Sequence, residues 1–598
     1  MKTKSILLVV INIMFVITLN AQTTYYVNQL SGNDSSNGTS IGSAFETIEK
    51  AVNSVASGDT IEIIGEYKNP SYNASYTYSG VNDAHLWHSE NTIRINGLNG
   101  TSGNYITIRA HDASTILKGD GANVFRVTNS SYLKIEDFNI EGEVDNIPLS
   151  TANALQFVYI IDDGNLQGTA TNPNASDIKF RNEDETNDND NIVEETDTYT
   201  NISNENVIRP SYIDTRGLYI SNSDNIIISN NTIHHMPGGG LRVSDSKLID
   251  ILDNEIYRCS AKSYSGTHAL VVTKTEPIAS SGYSVNILRN KIHHNYNEQY
   301  SWSPTKTIIT PRIDEGKGIS LQRNNLTTWI NGSGRILVAN NLCYWNGFSG
   351  VHTNDGYRID FINNTCYMNS YTNTITYPEL DPNIEQKGNN IGISAQSSND
   401  IKMINNISVI DTDWNGFALS AGGTTNLEVS DNLIYGVNGP VNQDNDITNI
   451  DVNTLEANPL FVFAGDEVLT TMHDFGLQPS SPAINIANLT YAPIDDFFGS
   501  SRDQNPDLGA IEYDSTLSIN NVKAEEVKVY PNPFKDQITI NYKNRELSEI
   551  SIYNIIGQEQ KFTCQKTGNI LTLDLSHLSN GLYVLKIDSV SKKIIKTN

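Results

Sequence analysis

Between residues 299 and 358 the chain places a histidine, His352, downstream of a charged turn, Asp314-Glu315-Gly316-Lys317-Gly318. The same stretch holds six Lys or Arg (Lys306, Arg312, Lys317, Arg323, Arg335, Arg358) against three acids (Asp314, Glu315, Asp355), in a chain whose formal charge is -28. A positive island in so acidic a protein suits an anionic ligand, because a cleft lined by one sign of charge concentrates the other. The chemistry within reach of this set is removal of a proton next to a carboxylate. Cations neutralise that carboxylate and stabilise the enolate that develops, and an imidazole, which titrates near working pH, takes the proton. Loss of a group from the β carbon completes an elimination. A glycosidic oxygen as that group cleaves a chain and a free hydroxyl gives dehydration; both stay open. On this reading His352 is the base, Lys317 and Arg358 act on the developing charge, and Lys306, Arg312, Arg323, Trp302 and His268 bind substrate. The bland alternative is a solvated turn, with His352 capping a corner.

Such residues need a scaffold that brings distant stretches side by side, and the sequence supplies one. Asn231-Thr232-Ile233, Asn254-Glu255-Ile256, Asn290-Lys291-Ile292, Asn325-Leu326, Asn341-Leu342, Asn364-Thr365, Asn406-Ile407 and Asn432-Leu433 each put an Asn before a strand-like pair. Two of the gaps, 231 to 254 and 341 to 364, are 23 residues, and longer gaps are one coil plus a loop or nearly two coils. Self-similarity of this period with β-branched residues means a solenoid. Coils stack at about 4.8 Å, so an inward amide can bond its copies above and below. If the coils holding residues 314–319 and 350–358 stack directly, one sugar meets both clusters. His234-His235 and His293-His294 recur at one place in their repeats, one imidazole of each pair expected inward and the other outward, where with Lys262 it would extend a groove.

Composition narrows the class further. With 598 residues, 18% of them charged and 38% hydrophobic in short pieces, many short strands are favoured over long helices. The acidic balance excludes a nucleic-acid partner, which requires a broad basic face. Residues 1–21 have Lys2 and Lys4, then an apolar run of about 14 residues, the layout of a signal peptide. That run is shorter than the ~20 residues a spanning helix needs, and the mature chain is expected to have no transmembrane segment. Four cysteines in an exported chain of this size do not read as a disulfide framework; Cys343 and Cys366, one repeat apart, read as stacked core residues. In residues 22–67, Ala44, Ile48, Ala51, Val52 and Val55 recur at helical spacing. Residues 161–208 are strongly acidic and are expected to form a solvated loop, with a calcium-ordered lid as the alternative.

Three resemblances add to this. Residues 22–67 resemble the N-terminal cap of parallel β-helices, and Asp474-Phe475, Ser480-Ser481-Pro482-Ala483-Ile484 and Asp507-Leu508-Gly509-Ala510-Ile511-Glu512 resemble their closing segment. The charged turn and the histidine after it are similar to the site of β-helical polysaccharide lyases, most nearly family 9 lyases. That resemblance implies calcium, with Asp314 and Glu315 as ligands, although the family uses several aspartates and a lysine base. Tyr530-Pro531-Asn532-Pro533, Ile552-Tyr553-Asn554 and Leu578-Ser579-Asn580-Gly581-Leu582-Tyr583 resemble the type A sorting domain of the type IX secretion system, with a carbohydrate-binding sandwich as the alternative. The expectation is an all-β chain: signal peptide 1–21, cap 22–67, right-handed parallel β-helix 68–513, linker 514–526 and a β-sandwich sorting domain 527–598. It would be a secreted or surface-held monomer, meeting the type IX machinery and an anionic polysaccharide or oligosaccharide. Elimination leads; a β-helical glycoside hydrolase using Asp314 or Glu315 with Asp355, and a noncatalytic glycan-binding rod, are the competing readings.

Overall fold

The computed structural model describes residues 22–69, 72, 91–149, 152, 158–160, 178–180, 211–263, 267–278, 281–298, 315–369, 391–414, 416–442, 444–448, 450–513 and, with short breaks, 527–597. The signal peptide, the 514–526 linker and nearly all of the acidic insertion fall outside them. Chain contacts divide the protein into two units, Met1–Tyr513 and Asp514–Asn598.

The first unit is a parallel β-helix. Among the described residues its strands form three parallel sheets of twelve, eleven and nine strands. We call these the long sheet, the short-strand sheet and the site sheet. A full coil contributes one strand to each, and the end coils contribute fewer. The site sheet runs, in chain order and without permutation, β1 (Ile93–Asn96), β2 (Asn123–Thr128), β3 (Arg216–Ser221), β4 (Leu241–Ser244), β5 (Leu270–Thr273), β6 (Ile319–Gln322), β7 (Ser349–Asn354), β8 (Ile391–Gln396) and β9 (Phe417–Ser420). Alternate residues of every strand point into the rod, so Leu218, Leu241, Leu270, Ile319, Val351 and Ile393 stack in register inside it.

The asparagines do what the repeat demands. The side-chain amides of Asn231, Asn254, Asn290, Asn341, Asn364 and Asn406 each donate to the Oδ1 of the next, ending at Asn432, over 2.9 to 3.1 Å. Each such bond contributes about 1 kcal/mol net, and an orphaned buried amide would cost more. Asn325 is not a member: it lies in the exposed turn after β6, and Asn290 bonds directly to Asn341. The long gaps, 254 to 290 and 364 to 406, are therefore single coils carrying a loop. A second ladder, Asn295 to Asn346 to Asn369, runs beside the first. The residue before each member of the first ladder is left-handed, with φ between 52° and 61° at Asn230, Asp253, Arg289, Asn340, Asn363, Asn405 and Asp431. Asn and Asp tolerate that conformation best, which explains their frequency at these corners.

At the N-terminal end α1 (Ile48–Val52) starts at Thr47, whose side chain accepts from the Lys50 amide, and buries Ile48 and Ala51 on the first coils. At the other end residues 461–511 pack Phe461, Phe475, Leu477 and Leu508 against the short-strand sheet. Arg502 secures this segment through Glu512 at 2.7 Å and the Gly509 carbonyl at 2.8 Å. Cys259, Cys343 and Cys366 are buried free thiols, the latter two paired in register. The second unit holds two four-stranded antiparallel sheets around Ile538, Ile540, Leu573 and Leu585. Among the described residues no helix is long and apolar enough to cross a membrane.

Candidate active site

Every coil of the site sheet from β3 to β8 begins with one local pattern: Arg216-Gly217-Leu218-Tyr219, Gly239-Gly240-Leu241-Arg242, His268-Ala269-Leu270-Val271, Lys317-Gly318-Ile319-Ser320, Ser349-Gly350-Val351-His352 and Ile391-Gly392-Ile393-Ser394. The second position is small because it faces the neighbouring sheet across a corner. A Cβ on Gly350 would lie 2.7 Å from Cys366 Sγ. The fourth position points out. One outward row therefore reads Arg94, Arg126, Tyr219, Arg242, Val271, Ser320, His352, Ser394, each in register with the next. The first positions of these coils form a parallel line, in which Ala269 donates to the Lys317 carbonyl and Gly318 to the Ser349 carbonyl.

Lys317 and His268 thus sit on adjacent coils, and His352 stands one coil beyond Ser320. Gly316 makes the approach possible: its φ is 78°, its amide donates to the Thr267 carbonyl, and a Cβ there would fall 2.6 Å from Tyr296 Cα. The Lys317 ammonium lies 3.0 Å from Glu315 Oε2 and 4.8 Å from the centre of the Phe348 ring. His268 Nε2 is 3.4 Å from the same Glu315 oxygen and 2.8 Å from the Gln322 amide, which also donates to Ser320 Oγ. His352 Nδ1 is 2.7 Å from Ser394 Oγ, with the residue 6% exposed. Burial, then Lys317 and then His268, hold the His352 imidazole well below its ordinary pKa; burial, Lys317 and Arg242 do the same to His268. Both rings are neutral at pH 7. When Nδ1–H of His352 donates to Ser394, Nε2 keeps a lone pair available to take a proton. Arg242 is also largely buried, and Arg216 and Arg323 oppose its charge after burial does. A guanidinium stays protonated regardless.

The structure therefore gathers His352, Lys317, His268 and Glu315, with Arg323 at the corner after β6. It separates Arg358 from them. That residue belongs to the long sheet, in the strand Tyr357–Ile362, where its Nε donates to the Gly334 carbonyl at 3.0 Å and its guanidinium lies 5.9 Å over the Trp329 ring. A corner at Asp355, with φ 54°, turns the chain onto another face of the rod between His352 and Arg358. Arg335 is likewise on the long sheet. Trp302, Lys306, Arg312 and Asp314 lie outside the described residues. Sequence reasoning missed Tyr219, Arg242, Gln322 and Ser394, all signalled by the repeated small-aliphatic pattern. The paired histidines do not extend the groove. His234, Tyr257, His293 and Tyr344 stack face to face at 4.7 to 5.1 Å on the short-strand sheet, with His294 beneath the closing segment and bonded to the Glu467 carbonyl. Lys262 is paired with Glu298.

Glu315 does not fit a calcium site among the described residues. Its carboxylate is engaged by an ammonium and faces an imidazole, and no three His, Cys, Asp or Glu side chains among the described residues converge on a metal position. Calcium requires six to eight oxygens.

The first unit is thus a parallel β-helix with a cation and imidazole cluster on one face, joined to a small antiparallel β unit. Residues 528–597 of that unit match the family of secretion system C-terminal sorting domains, which marks the chain for export by type IX secretion to the cell surface or beyond. Over 86 residues the chain is 30% identical to ulvan lyase NLR42 of Nonlabens ulvanivorans, a match spanning 14% of this chain and 16% of that protein. Among solved structures it is similar to pectate lyase Pel9A, at 14% identity, covering 83% of this chain and 98% of that one with a TM-score of 0.40. It is also similar to a rhamnogalacturonan lyase, at 14% identity, covering 84% and 98% with a TM-score of 0.34. At such identities the likeness is one of fold.

Proposed function

We propose that this exported β-helix is a carbon-oxygen lyase that acts by β-elimination on a uronate-containing polysaccharide or its oligosaccharides. The observation that carries the reading is a neutral, buried imidazole, His352, held by Ser394 and flanked by the Lys317 ammonium. A uronate carboxylate entering this cluster would meet Lys317, whose charge counts most when the enolate forms, while Arg242, three strands along the row, would meet a neighbouring sugar. The arriving anion also offsets the cationic field that holds down the basicity of His352. Binding the correct substrate thereby strengthens the base, and Nε2 takes the proton beside the carboxylate. Gln322 and His268 provide further polar atoms for sugar hydroxyls.

Hydrolysis requires two carboxylates about 5 to 10 Å apart. Among the described residues, neither the row containing His352 nor the neighbouring outward row (Asn96, Thr128, Ser221, Ser244, Thr273, Gln322, Asn354, Gln396) carries one. The carboxylate in the cluster, Glu315, is engaged by the Lys317 ammonium, and with the two rows this favours elimination over a hydrolase. The deciding experiment incubates the secreted protein with a panel of algal and plant uronate polysaccharides and follows the ultraviolet absorbance of an unsaturated uronate. New reducing ends without that absorbance would mean hydrolysis, and binding without product would mean a glycan-binding rod. Chelation of calcium is expected to leave the rate unchanged on this reading, which assigns the charge to Lys317.

A further inference from the structure

We propose that the far end of the site sheet is a second anion subsite, formed by Arg94, Arg126 and Asn96, that grips the acidic groups of a sugar chain lying along the outward row. The inference rests on the function proposed above, which supplies the polymer.

Register carries the argument. Arg94 pairs with Arg126, Arg126 with Tyr219 and Tyr219 with Arg242, and the row continues through Val271 and Ser320 to His352. At the ordinary strand spacing Arg126 stands roughly 24 Å from His352 and Arg94 about 29 Å. A rod keeps that spacing fixed, so a chain reaching His352 along the row passes over both arginines. Between them lies a cleft of about 260 Å³ lined by Arg94, Ile95, Asn96, Arg126 and Thr128.

The lining is suited to an oxyanion. Asn96 Oδ1 accepts from Thr128 Oγ1 at 3.0 Å and Asn129 Nδ2 at 2.8 Å, which leaves its NH2 end as the group to offer a ligand. The Arg126 guanidinium lies 5.6 Å over the Tyr219 ring, an arrangement that orients the cation without neutralising it. Neither Arg126 nor Arg242 forms an ion pair with a described residue. Planar guanidinium forks recognise carboxylates and sulfate esters alike, so the shared chemistry is an acidic sugar substituent.

The test reads binding without turnover, in the full chain carrying His352→Ala. This parent is compared with the same chain carrying also Arg94→Gln and Arg126→Gln, by titration calorimetry at two salt concentrations. The probes are polygalacturonate, which has only carboxylates, carrageenan, which has only sulfates, and an acidic trisaccharide too short to span the row. The expected result is roughly tenfold weaker binding of an acidic polymer by the double variant, with a shallower salt dependence. Trisaccharide affinity and melting temperature should stay unchanged. The polymer that loses affinity identifies the substituent. Equal polymer affinity in the two chains overturns the subsite, as does a loss that the trisaccharide shares. A parent that binds neither acidic polymer overturns instead the function on which the subsite rests.

Discussion

On the long sheet and at its corner, four cations meet carboxylates of other coils. Arg109 meets Glu62, Arg289 is forked onto Asp253 at 2.7 and 2.9 Å, Arg335 binds Asp360 and Asp400, and Lys402 binds Glu428. On the site sheet, Arg126 lies over a tyrosine and Arg242 faces Arg216 and Arg323. The two faces use the same residue types at the same strand spacing, yet the long sheet answers these four cations with carboxylates, whereas the site sheet pairs Lys317 with Glu315 and Arg216 with Asp214 and gives Arg126 and Arg242 no ion pair among the described residues. A cation on such a rod acquires its role from the residue one coil above or below it. Those four cations tie coil to coil, and on the proposed reading Arg126 and Arg242 are the cations left for a ligand.

The sharpest way to break this contrast is His352→Ala, which should lower turnover by ~10²–10⁴, the usual cost of a general base, with the melting temperature unchanged. Wild-type rates in that variant would show the ligand-facing side to have no catalytic centre. A mirrored pair of variants comes next. Arg335→Gln leaves Asp360, only 3% exposed, without its guanidinium. Denaturant unfolding should report a loss of about 2–3 kcal/mol, with KM unaltered. Arg242→Gln should do the reverse, raising KM roughly tenfold while stability holds, because it removes a cation that has no ion pair among the described residues. If both variants affect the same quantity, the division between faces fails.

A smaller effect concerns pH. His352 must be neutral to act, so activity falls as pH drops through its pKa, which burial and then Lys317 keep low. Lys317→Gln removes the second cause. The acid limb of kcat/KM should then move to higher pH, though only in part, since burial persists. An unmoved limb would mean that Lys317 does not act on His352. A separate pH effect belongs to the aromatic stack. Burial first of all depresses His234 and His293 to about 4 and His294 to about 3. The unfolded chain takes up protons on these rings below about pH 6.5 while the folded one does not. Stability is thus full above that pH and declines toward pH 4, a trend that thermal melts should show and that persists in the His352→Ala chain, reduced by the share of His352 itself.

Much of the fold was legible in the sequence, because its causes are local and repeated. The 23-residue spacing marked single coils, and the asparagine before each strand marked a ladder whose members satisfy one another. The helical spacing from Ala44 to Val55 marked the capping helix, and the motifs after residue 527 marked the sorting domain. Misreadings occurred where a loop altered the count. Asn325 imitates a ladder residue in a turn, and a window of sequence counted Arg335 and Arg358 beside His352 although a corner carries both to another face.

The sequence by itself determined that this chain is a stack of β coils with a secretion tail, since the coil period, the corner residues and the amide ladder depend on near neighbours alone. That the coils holding Lys317 and His352 stack directly stayed a condition until the register paired Ser320 with His352. Only the tertiary structure decided which charges share a face. Arg126 and Tyr219 are 93 residues apart in the chain yet adjacent in register, with the acidic insertion between them in sequence. Coil lengths vary with their loops, so distance along the chain does not convert into height on the rod. The charge of a side chain is then answered, or left open, by residues that the sequence places far away.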